Sequence, residues 1–243
     1  DRWMEAQNLP VYRGHFIAEP RLLELAPWPE RGVNAAFIQL EGMAGVCEAR
    51  ITEIPPGATS EPLKMALSEV VYVLEGQGLT TVWAGDGPKK TFEWQKSSLF
   101  CLPRHCWHQF SNVRGDRPAR ILNYNHIPVA MSVVPDPKLL INGEYEDPVR
   151  LYGSEGSEFY AEAKAVDIPG ARAGHQVIWR ANFFPDMGAW DKLLDYPGRG
   201  AGGSRLGIQF PGAEMDCHMS VFDPQLYKKG HPQGRWLLGP LAG

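Results

Sequence analysis

Residues 55–112 decide the fold of this chain. They begin with PPGATSEPLKMALSEVVYVLEGQG (55–78) and end with FEWQKSSLFCLPRHCWHQFSN (92–112). Within them, the aliphatic runs Val70–Leu74 and Ser98–Leu102 each lie between clusters of turn-forming residues. Short apolar runs bounded by Pro, Gly and Ser are typical of β-strands. The stretch therefore predicts strands that are joined by tight turns.

Two chemically active side chains stand at the ends of these runs. Glu69 directly precedes the first run, and His108 follows the proline that closes the second. In a barrel, inward-facing positions of neighbouring strands point at a common axis. A carboxylate and an imidazole brought together in this way could form part of a metal site or an acid–base pair.

Strand-like segments continue on both sides of this stretch. Residues 35–42 (AAFIQLEG) and 46–54 (VCEARITEI) precede it, and Ala119–Asn125 follows it. The segment 46–54 alternates with the period of two that a half-buried strand shows. With the hairpins between them, these segments make a set of about eight evenly spaced strands. We therefore predict an all-β fold, a closed antiparallel barrel or jelly roll, over residues 35–128.

The rest of the chain divides around this barrel. Residues 1–34 are expected to form an N-terminal arm, and residues 129–200, which are rich in proline, a connector that packs across a surface. Residues 201–243 are strand-like again but too short for a second complete barrel. An incomplete sheet leaves open edges, so we expect this last segment to pair with the barrel, with the arm or with a second subunit.

Composition excludes several classes of protein. The chain has 243 residues and a formal charge of −4, with its Lys and Arg residues scattered, so neither a nucleic acid nor a membrane surface is expected as a partner. No run approaches the ~18 apolar residues of a membrane span. The four cysteines form no CxxC pair. Reduced thiols, and hence a cytoplasmic location, are the prediction.

The barrel region resembles the cupin superfamily. Gly57, Glu69 and Gly76 match the spacing of the first cupin motif, and His108 and Asn112, after Pro103, match the end of the second. The resemblance implies a small jelly-roll barrel that often holds one divalent ion, which could be Fe, Mn, Ni, Cu or Zn. The C-terminal segment is similar to the opening of a second cupin domain. Together they imply a bicupin, the architecture of gentisate-type ring-cleaving dioxygenases and their relatives.

The sequence departs from the cupin pattern at the metal ligands. Leu63 and Met65 occupy the two histidine positions of the first motif, and neither is a ligand for a hard divalent ion. In the second segment, His231 and Gln233 fall at the corresponding positions, and Leu237 lies where a Glu would be wanted. Neither half therefore carries the complete set of ligands.

The candidate site combines these residues with their neighbours. Glu69 and His108 are predicted as catalytic residues or metal ligands, and His126, at the end of a later strand, is the in-chain candidate for a third ligand. Leu63 and Met65 would line the pocket in an apolar way, which suits a hydrophobic substrate or a filled core equally. The remaining predicted substrate contacts are Trp83 and Tyr124.

Three functions are consistent with these residues. The first is a metal-dependent bicupin-type enzyme, such as a dioxygenase, acting on a small aromatic or carboxylated molecule. The second is a metal-free isomerase or lyase that uses Glu69 and His108 for proton transfer. The third is a ligand-binding or structural protein without catalysis. In each case a small molecule and a second copy of the chain are the expected partners.

Overall fold

The computed structural model describes residues 2–153, 159, 161–196 and 203–222. Four short α-helices are present in these ranges: α1 (Arg2–Ala6), α2 (Ile127–Val133), α3 (Pro137–Leu140) and α4 (Pro148–Tyr152). The strands are β1 (Val11–Gly14), β2 (Ala26–Trp28), β3 (Val33–Leu40), β4 (Glu48–Ile54), β5 (Leu63–Lys64), β6 (Glu69–Glu75), β7 (Gln77–Trp83), β8 (Lys90–Gln95), β9 (Leu99–Leu102), β10 (Trp107–Asn112), β11 (Ala119–Asn125), β12 (Lys164–Asp167), β13 (Val177–Arg180), β14 (Phe183–Phe184), β15 (Leu194–Asp195), β16 (Ser204–Gln209) and β17 (Asp216–Val221).

Two sheets form the barrel. The larger has the strand order β1-β3-β4-β11-β6-β9-β14, with β2 also paired to β3, and the smaller has the order β5-β10-β7-β8. Neighbouring strands are antiparallel except for β1 and β3. Inward side chains of both sheets share one core, which includes Phe37, Val71 and Ile121 from the larger sheet and Val82 and Phe110 from the smaller. The predicted all-β, barrel-like fold is confirmed.

The stretch 55–112 supplies strands to both sheets. Its two aliphatic runs form β6 and β9, which pair from Glu69 opposite Leu102 to Tyr72 opposite Leu99. The turn between β6 and β7 uses Gly76, whose φ of 91° is a conformation that L side chains rarely adopt. The chain passes here from one sheet to the other, and this switch folds the strands into a two-layered barrel.

The division into domains stays a prediction, although strand pairing crosses all three of its boundaries. Strands β1 and β2, within residues 1–34, both pair with β3. Residues 129–200, the predicted connector, contribute β14 to the barrel and β12, β13 and β15 to a third sheet, whose order is β12-β13-β16-β15 with β17 beside β16.

The third sheet packs on the outer face of the larger barrel sheet. Leu206, Phe210 and Met219 form one buried cluster with Val70 and Leu99, which point away from the barrel interior. A polar contact ties the two parts together, since the Glu214 carboxylate accepts hydrogen bonds from the backbone N–H and the hydroxyl of Ser68. As far as residue 222, the strands of residues 201–243 pair with each other and with β13 and β15 of residues 129–200, so the expected pairing with the barrel or the arm is not found in the described residues. The barrel covers them by packing. His231, Gln233 and Leu237 lie outside the described residues.

Two further observations concern membrane-spanning helices and the cysteines. None of the helices in the described ranges is long and apolar enough to cross a membrane. All four cysteines are free thiols, and Cys47, Cys101 and Cys106 are buried.

Candidate functional site

A buried polar cluster lies in the barrel where an apolar core would be expected. Strand β4 turns Glu48, Arg50 and Thr52 inward, since these alternate residues all have 5% or less of their surface exposed. Strand β11 does the same with Asn123 and Asn125, and β6 adds Glu69, all at 1% or less. Because β11 lies between β4 and β6, the three strands bring these side chains to one place.

The cluster is closely hydrogen-bonded. Arg50 pairs with Glu48, and its Nη2 lies 2.9 Å from Glu69 Oε2. Asn123 Nδ2 donates to Glu69 Oε1 at 2.6 Å. Asn125 Nδ2 bridges the carboxylates, at 2.6 Å from Glu48 Oε2 and 3.0 Å from Glu69 Oε2. Both oxygens of Glu69 are therefore occupied by a guanidinium and two amides.

Burial changes the acid–base behaviour of the cluster. The pKa of Glu48 is raised, because burial disfavours the carboxylate and Glu69 repels it, and these effects outweigh the attraction of Arg50. Burial by itself would lower the pKa of Arg50, but the two carboxylates reverse this and hold it above its usual value. Arg50 is thus a permanent cation, and Glu48 is the carboxyl group that takes up a proton more readily than usual.

A cavity of about 230 Å³ opens beside this cluster. Its wall combines apolar side chains with the cationic side chains of Arg31, Arg50 and Lys138. The lining residues are Trp3, Gln7, Trp28, Glu30, Arg31, Arg50, Pro62, Leu63, Met65, Pro137, Lys138, Ile141 and Asn142. The volume is below the roughly 300–1,000 Å³ of pockets for drug-sized ligands, so the cavity suits a small molecule.

Arg31 is the second buried cation of this wall, beside Arg50. It is buried, and its guanidinium donates to the backbone carbonyl of Glu61. Within the described part of the chain it forms no ion pair with a carboxylate. Burial, reinforced by repulsion from Arg50, lowers the pKa of Arg31 to about 9, although the charges of Glu69 and Glu61 oppose this shift. A buried guanidinium in this condition favours the binding of an anion.

His108 is inward-facing and held neutral. Only 2% of its surface is exposed, and its ring lies 5.4 Å from that of Phe110. Burial lowers the pKa of His108 well below its usual value, and the charges of Arg31 and Arg50 add to the effect. Its Nε2 has no hydrogen-bond partner among the described residues. His108 is therefore a neutral imidazole with one ring nitrogen left for another group.

The structure brings together some of the predicted site residues. Leu63 and Met65 line the cavity, and Leu63 is the strand partner of His108. Glu69 is inward-facing on β6 and belongs to the buried polar cluster. The interpretation of Leu63 and Met65 as an apolar pocket lining agrees with this placement.

Trp83, Tyr124 and His126 do not reach the cavity. On β11, the inward positions are those of Asn123 and Asn125, so Tyr124 points to the opposite face and donates to Cys47 Sγ at 2.9 Å. His126 follows with the same parity, packs edge-to-face on Tyr124 at 5.6 Å and occupies the N-cap position of α2 without a side-chain capping hydrogen bond. Trp83 alternates with buried Val82 and lies under Lys89 Nζ at 4.3 Å. Strand parity corrects the proposed roles of these three residues.

The predicted divalent metal site does not fit these residues. Among the residues that the structure describes, no three His, Cys, Asp or Glu side chains are grouped so that they could hold a metal ion. A cation at Glu69 would also compete with Arg50, whose guanidinium already contacts both carboxylate oxygens. The donor set around Glu69 is that of an internal ion pair.

Sequence reasoning missed Arg31, Arg50, Glu48 and the two asparagines. The signal for three of the inward polar residues is present in CEARITEI, where Glu48, Arg50 and Thr52 alternate with Cys47, Ala49 and Ile51. In an ordinary half-buried strand that parity faces solvent, and here it faces the interior. Arg31 stands in a turn region and carries no signal of its own.

Comparisons with known proteins find structural likeness alone. No family model matches the chain, and no curated protein sequence matches it. Similar solved structures include a formate complex of oxalate decarboxylase from Lactobacillus farciminis, with 22% identity over 42% of this chain and a TM-score of 0.37. Vicilin from Solanum lycopersicum (tomato) shows 16% identity over 39% of this chain and a TM-score of 0.35.

Peruvianin-I, a cysteine peptidase from Thevetia peruviana latex, shows 18% identity over 45% of this chain and 70% of its own, with a TM-score of 0.39. The match spans 30% of the decarboxylase chain and 28% of the vicilin chain. At these TM-scores the likenesses support no statement about activity, and the fold assignment stands on the strand order of the barrel.

Proposed function

We propose that this cupin-like protein binds a small carboxylate with an apolar or aromatic body in the cavity beside Arg31. The observation that carries the proposal is the buried guanidinium of Arg31, which has no carboxylate partner within the described residues. A ligand carboxylate would supply that partner. Trp28, Leu63 and Met65 offer apolar surface to the rest of the ligand.

Arg50 and its carboxylates have a different role in this proposal. Arg50 is already neutralised by Glu48 and Glu69, so it shapes the wall rather than recruiting the ligand. Lys138, which is exposed at the start of α3, adds positive charge to the cavity wall. The cationic excess of the wall therefore lies at Arg31 and Lys138, with Glu30 opposing it.

The proposal can be tested by calorimetric titration with benzoate and with its uncharged isostere benzamide. We expect benzoate to bind and benzamide to bind at least about tenfold more weakly. Arg31→Met should weaken benzoate binding by roughly 10- to 100-fold, since hydrogen bonds to charged groups contribute about 1.5–3 kcal/mol. Arg117→Met, at an exposed arginine that pairs with Asp116, is the matched control and should change nothing. Equal binding of the two probes, or none, would contradict the proposal.

A second candidate function is metal-independent proton transfer by His108, as in an isomerase or lyase. The observation that favours it is the neutral imidazole with an unpartnered Nε2 near two guanidiniums. A neutral imidazole can accept a proton, and the guanidiniums would stabilise the negative charge that forms on the ligand. Glu69 would hold Arg50 in place, because its own oxygens are occupied.

Deuterium exchange at the carbon next to the oxo group of phenylpyruvate, followed by NMR, tests this second function. Wild type should accelerate the exchange above the buffer rate, and His108→Gln should abolish the acceleration while carboxylate binding persists. Treatment with EDTA should change neither result. An exchange rate equal to that of buffer would leave the protein as a binding protein without this chemistry.

A further inference from the structure

One wall of the cavity is built by residues 137–142, which follow the barrel strands in the chain. Pro137, Lys138, Ile141 and Asn142 of this segment line the cavity. The end of the segment lies beside β5, which is the edge strand of the smaller sheet. The position of the segment relative to β5 therefore sets the width of the cavity on this side.

Backbone hydrogen bonds join the segment to β5. The N–H of Ala66 donates to the carbonyl of Leu140 at 2.8 Å, and the N–H of Asn142 donates to the carbonyl of Lys64 at the same distance. The side-chain oxygen Oδ1 of Asn142 accepts from the N–H of Lys64 at 2.9 Å. Residues 140–142 thus extend the smaller sheet beyond β5.

The two faces of this extension differ. Met65 and Ile141 are opposite each other in an antiparallel bridge, and residues that are opposite each other lie on the same face of a sheet. Both line the cavity. Lys64 precedes Met65 and therefore points to the other face, where only 3% of its surface is exposed. A group that contacts the Lys64 side chain acts on the wall from behind.

Glu146 is that group. Its Oε1 accepts hydrogen bonds from Lys64 Nζ at 3.3 Å and from Trp107 Nε1 at 2.8 Å, and its Oε2 accepts from the backbone N–H of Gly85. These donors belong to β5, to β10 and to the turn between β7 and β8. One carboxylate, four residues after Asn142, therefore contacts three parts of the smaller sheet.

The contacts of Glu146 require a carboxylate. All three partners are donors, and a carboxylate offers acceptors only. Burial by itself would raise the pKa of Glu146, but the hydrogen bonds from the three donors outweigh it and lower the pKa below its usual value. An amide at this position would turn an NH₂ group towards at least one of the donors.

We propose that Glu146 is a positioning residue: its carboxylate holds residues 137–142 against β5 and thereby limits the size of the ligand that the cavity admits. The size limit rests on the proposed carboxylate binding. The hold on the wall depends on no ligand, so it can be measured separately.

Amide hydrogen exchange tests the hold on the wall. In Glu146→Gln, the amides of Ala66 and Asn142 should exchange about tenfold or more faster than in wild type, because losing charge-assisted hydrogen bonds favours local opening. The amide of Val73 on β6, which donates to Ser98, should keep its rate. Equal acceleration at all three amides would indicate a general loss of stability, and no acceleration would show that other contacts hold the segment. Either result would overturn the inference.

Two further variants sharpen this test. Glu144→Gln removes an exposed carboxylate two residues earlier and is the matched control, so it should leave the exchange rates unchanged. Trp107→Phe removes one of the three donors and keeps an aromatic ring, so it should accelerate the exchange of Ala66 and Asn142 by about threefold. If Glu146→Gln fails to fold, unchanged rates in Trp107→Phe would overturn the inference.

Benzoate and biphenyl-4-carboxylate test the size limit, because they share the carboxylate and differ by one ring. By calorimetric titration, wild type should bind benzoate about tenfold or more tightly, since a cavity of about 230 Å³ leaves little room for a second ring. Glu146→Gln should reduce this preference to about threefold or less, and Glu144→Gln should retain it. A general loss of stability would weaken both ligands alike, so the ratio of affinities separates positioning from stability.

The possible failures are distinguishable. Accelerated exchange with an unchanged preference for benzoate would overturn the size-limiting role of Glu146 and leave the carboxylate proposal intact. Absence of binding by both ligands would overturn the carboxylate proposal and the size limit with it. The exchange rates would then decide by themselves whether Glu146 holds the wall.

Discussion

Arg50 and Glu69 form an ion pair across an intervening strand, with 2.9 Å between Nη2 and Oε2. Arg50 is on β4 and Glu69 is on β6, and β11 lies between them in the sheet. Asn123 and Asn125, which β11 contributes, donate to the same carboxylate. The pair therefore joins three strands through their side chains in addition to their backbone hydrogen bonds.

Arg50→Met should be strongly destabilising. It leaves Glu48 and Glu69 buried without a cation, and breaking a buried pair by removing one partner costs about 3–5 kcal/mol. Urea unfolding, followed by tryptophan fluorescence, measures the free energy of unfolding. Arg114→Met removes an exposed partner of Asp116 and should cost at most about 1 kcal/mol. If Arg50→Met lowered the free energy of unfolding by less than Arg114→Met does, the carboxylates of Glu48 and Glu69 would have to be neutralised in another way.

Glu48→Gln should change how stability depends on pH. The pKa of Glu48 is raised in the folded state, mainly by burial, so the folded protein holds this proton more tightly than the unfolded chain does. Its contribution to stability is therefore present below the unfolded pKa of about 4.5 and is lost as the pH rises through the folded pKa.

The measurement compares wild type and Glu48→Gln by urea unfolding at pH 5 and pH 8. The variant should gain stability relative to wild type on going from pH 5 to pH 8, by up to about 1.4 kcal/mol for each unit of pKa shift. Glu93→Gln, on the exposed side of β8, corrects for the loss of a surface charge. A difference that grows in the opposite direction would show that the carboxylate of Glu48 is stabilised rather than destabilised by folding.

His108→Gln should reduce the sensitivity of the protein to acid. The pKa of His108 is lowered in the folded state by burial and by Arg31 and Arg50, so the unfolded chain binds the proton more readily. Stability from this group is present above about pH 6.5 and is lost as the pH falls from there through the folded pKa.

Between pH 7 and pH 5, wild type should therefore lose more stability than His108→Gln, by up to about 1.4 kcal/mol per pH unit. His15→Gln is the control for an exposed imidazole, since 79% of its side-chain surface is accessible. NMR of the ring protons gives an independent check, because the His108 ring should remain neutral well below pH 6.5. Titration of His108 at or above pH 6.5 would contradict its placement beside two guanidiniums.

Gly78→Ala should destabilise the barrel, because Gly78 on β7 has no room for a side chain. An added Cβ would overlap the Ser111 carbonyl oxygen and carbon atoms of the Trp94 ring. Overpacking of this kind typically costs about 1–3 kcal/mol. Gly115→Ala meets nothing within 4 Å and is the matched control. Equal urea midpoints for the two variants would show that Trp94 can move aside.

The fold is predictable from the sequence because its signals are local. The runs that form β6 and β9 are bounded by glycine and proline, and the strand pattern places Glu69 and His108 on inward faces. The spacing of Gly57, Glu69 and Gly76 resembles that of the first cupin motif, and this resemblance implies a jelly roll. Each of these inferences needs the neighbouring residues and nothing more distant.

The site is less predictable because its composition depends on pairs that are distant in the chain. The contact between Arg50 and Glu69 depends on the strand order β4-β11-β6, which the sequence does not state. Side chains alternate between the two faces of β11. Once Asn123 and Asn125 are placed on the inner face, Tyr124 between them must lie on the outer face. Arg31, which forms part of the cavity wall, lies in a turn, and no periodic hydrophobic pattern in the sequence indicates its role.

The walls of the cavity come from parts that are distant in the chain, and three of these parts carry Trp3 on α1, Arg50 on β4 and Lys138 on α3. A cavity assembled in this way exists only while all three parts are in place, so its ligand binds the folded chain and has no affinity for the unfolded one. By mass action, a ligand at one hundred times its dissociation constant stabilises the folded state by about 2.7 kcal/mol, which raises the melting temperature. A thermal-shift screen can therefore identify the natural ligand before any reaction is known.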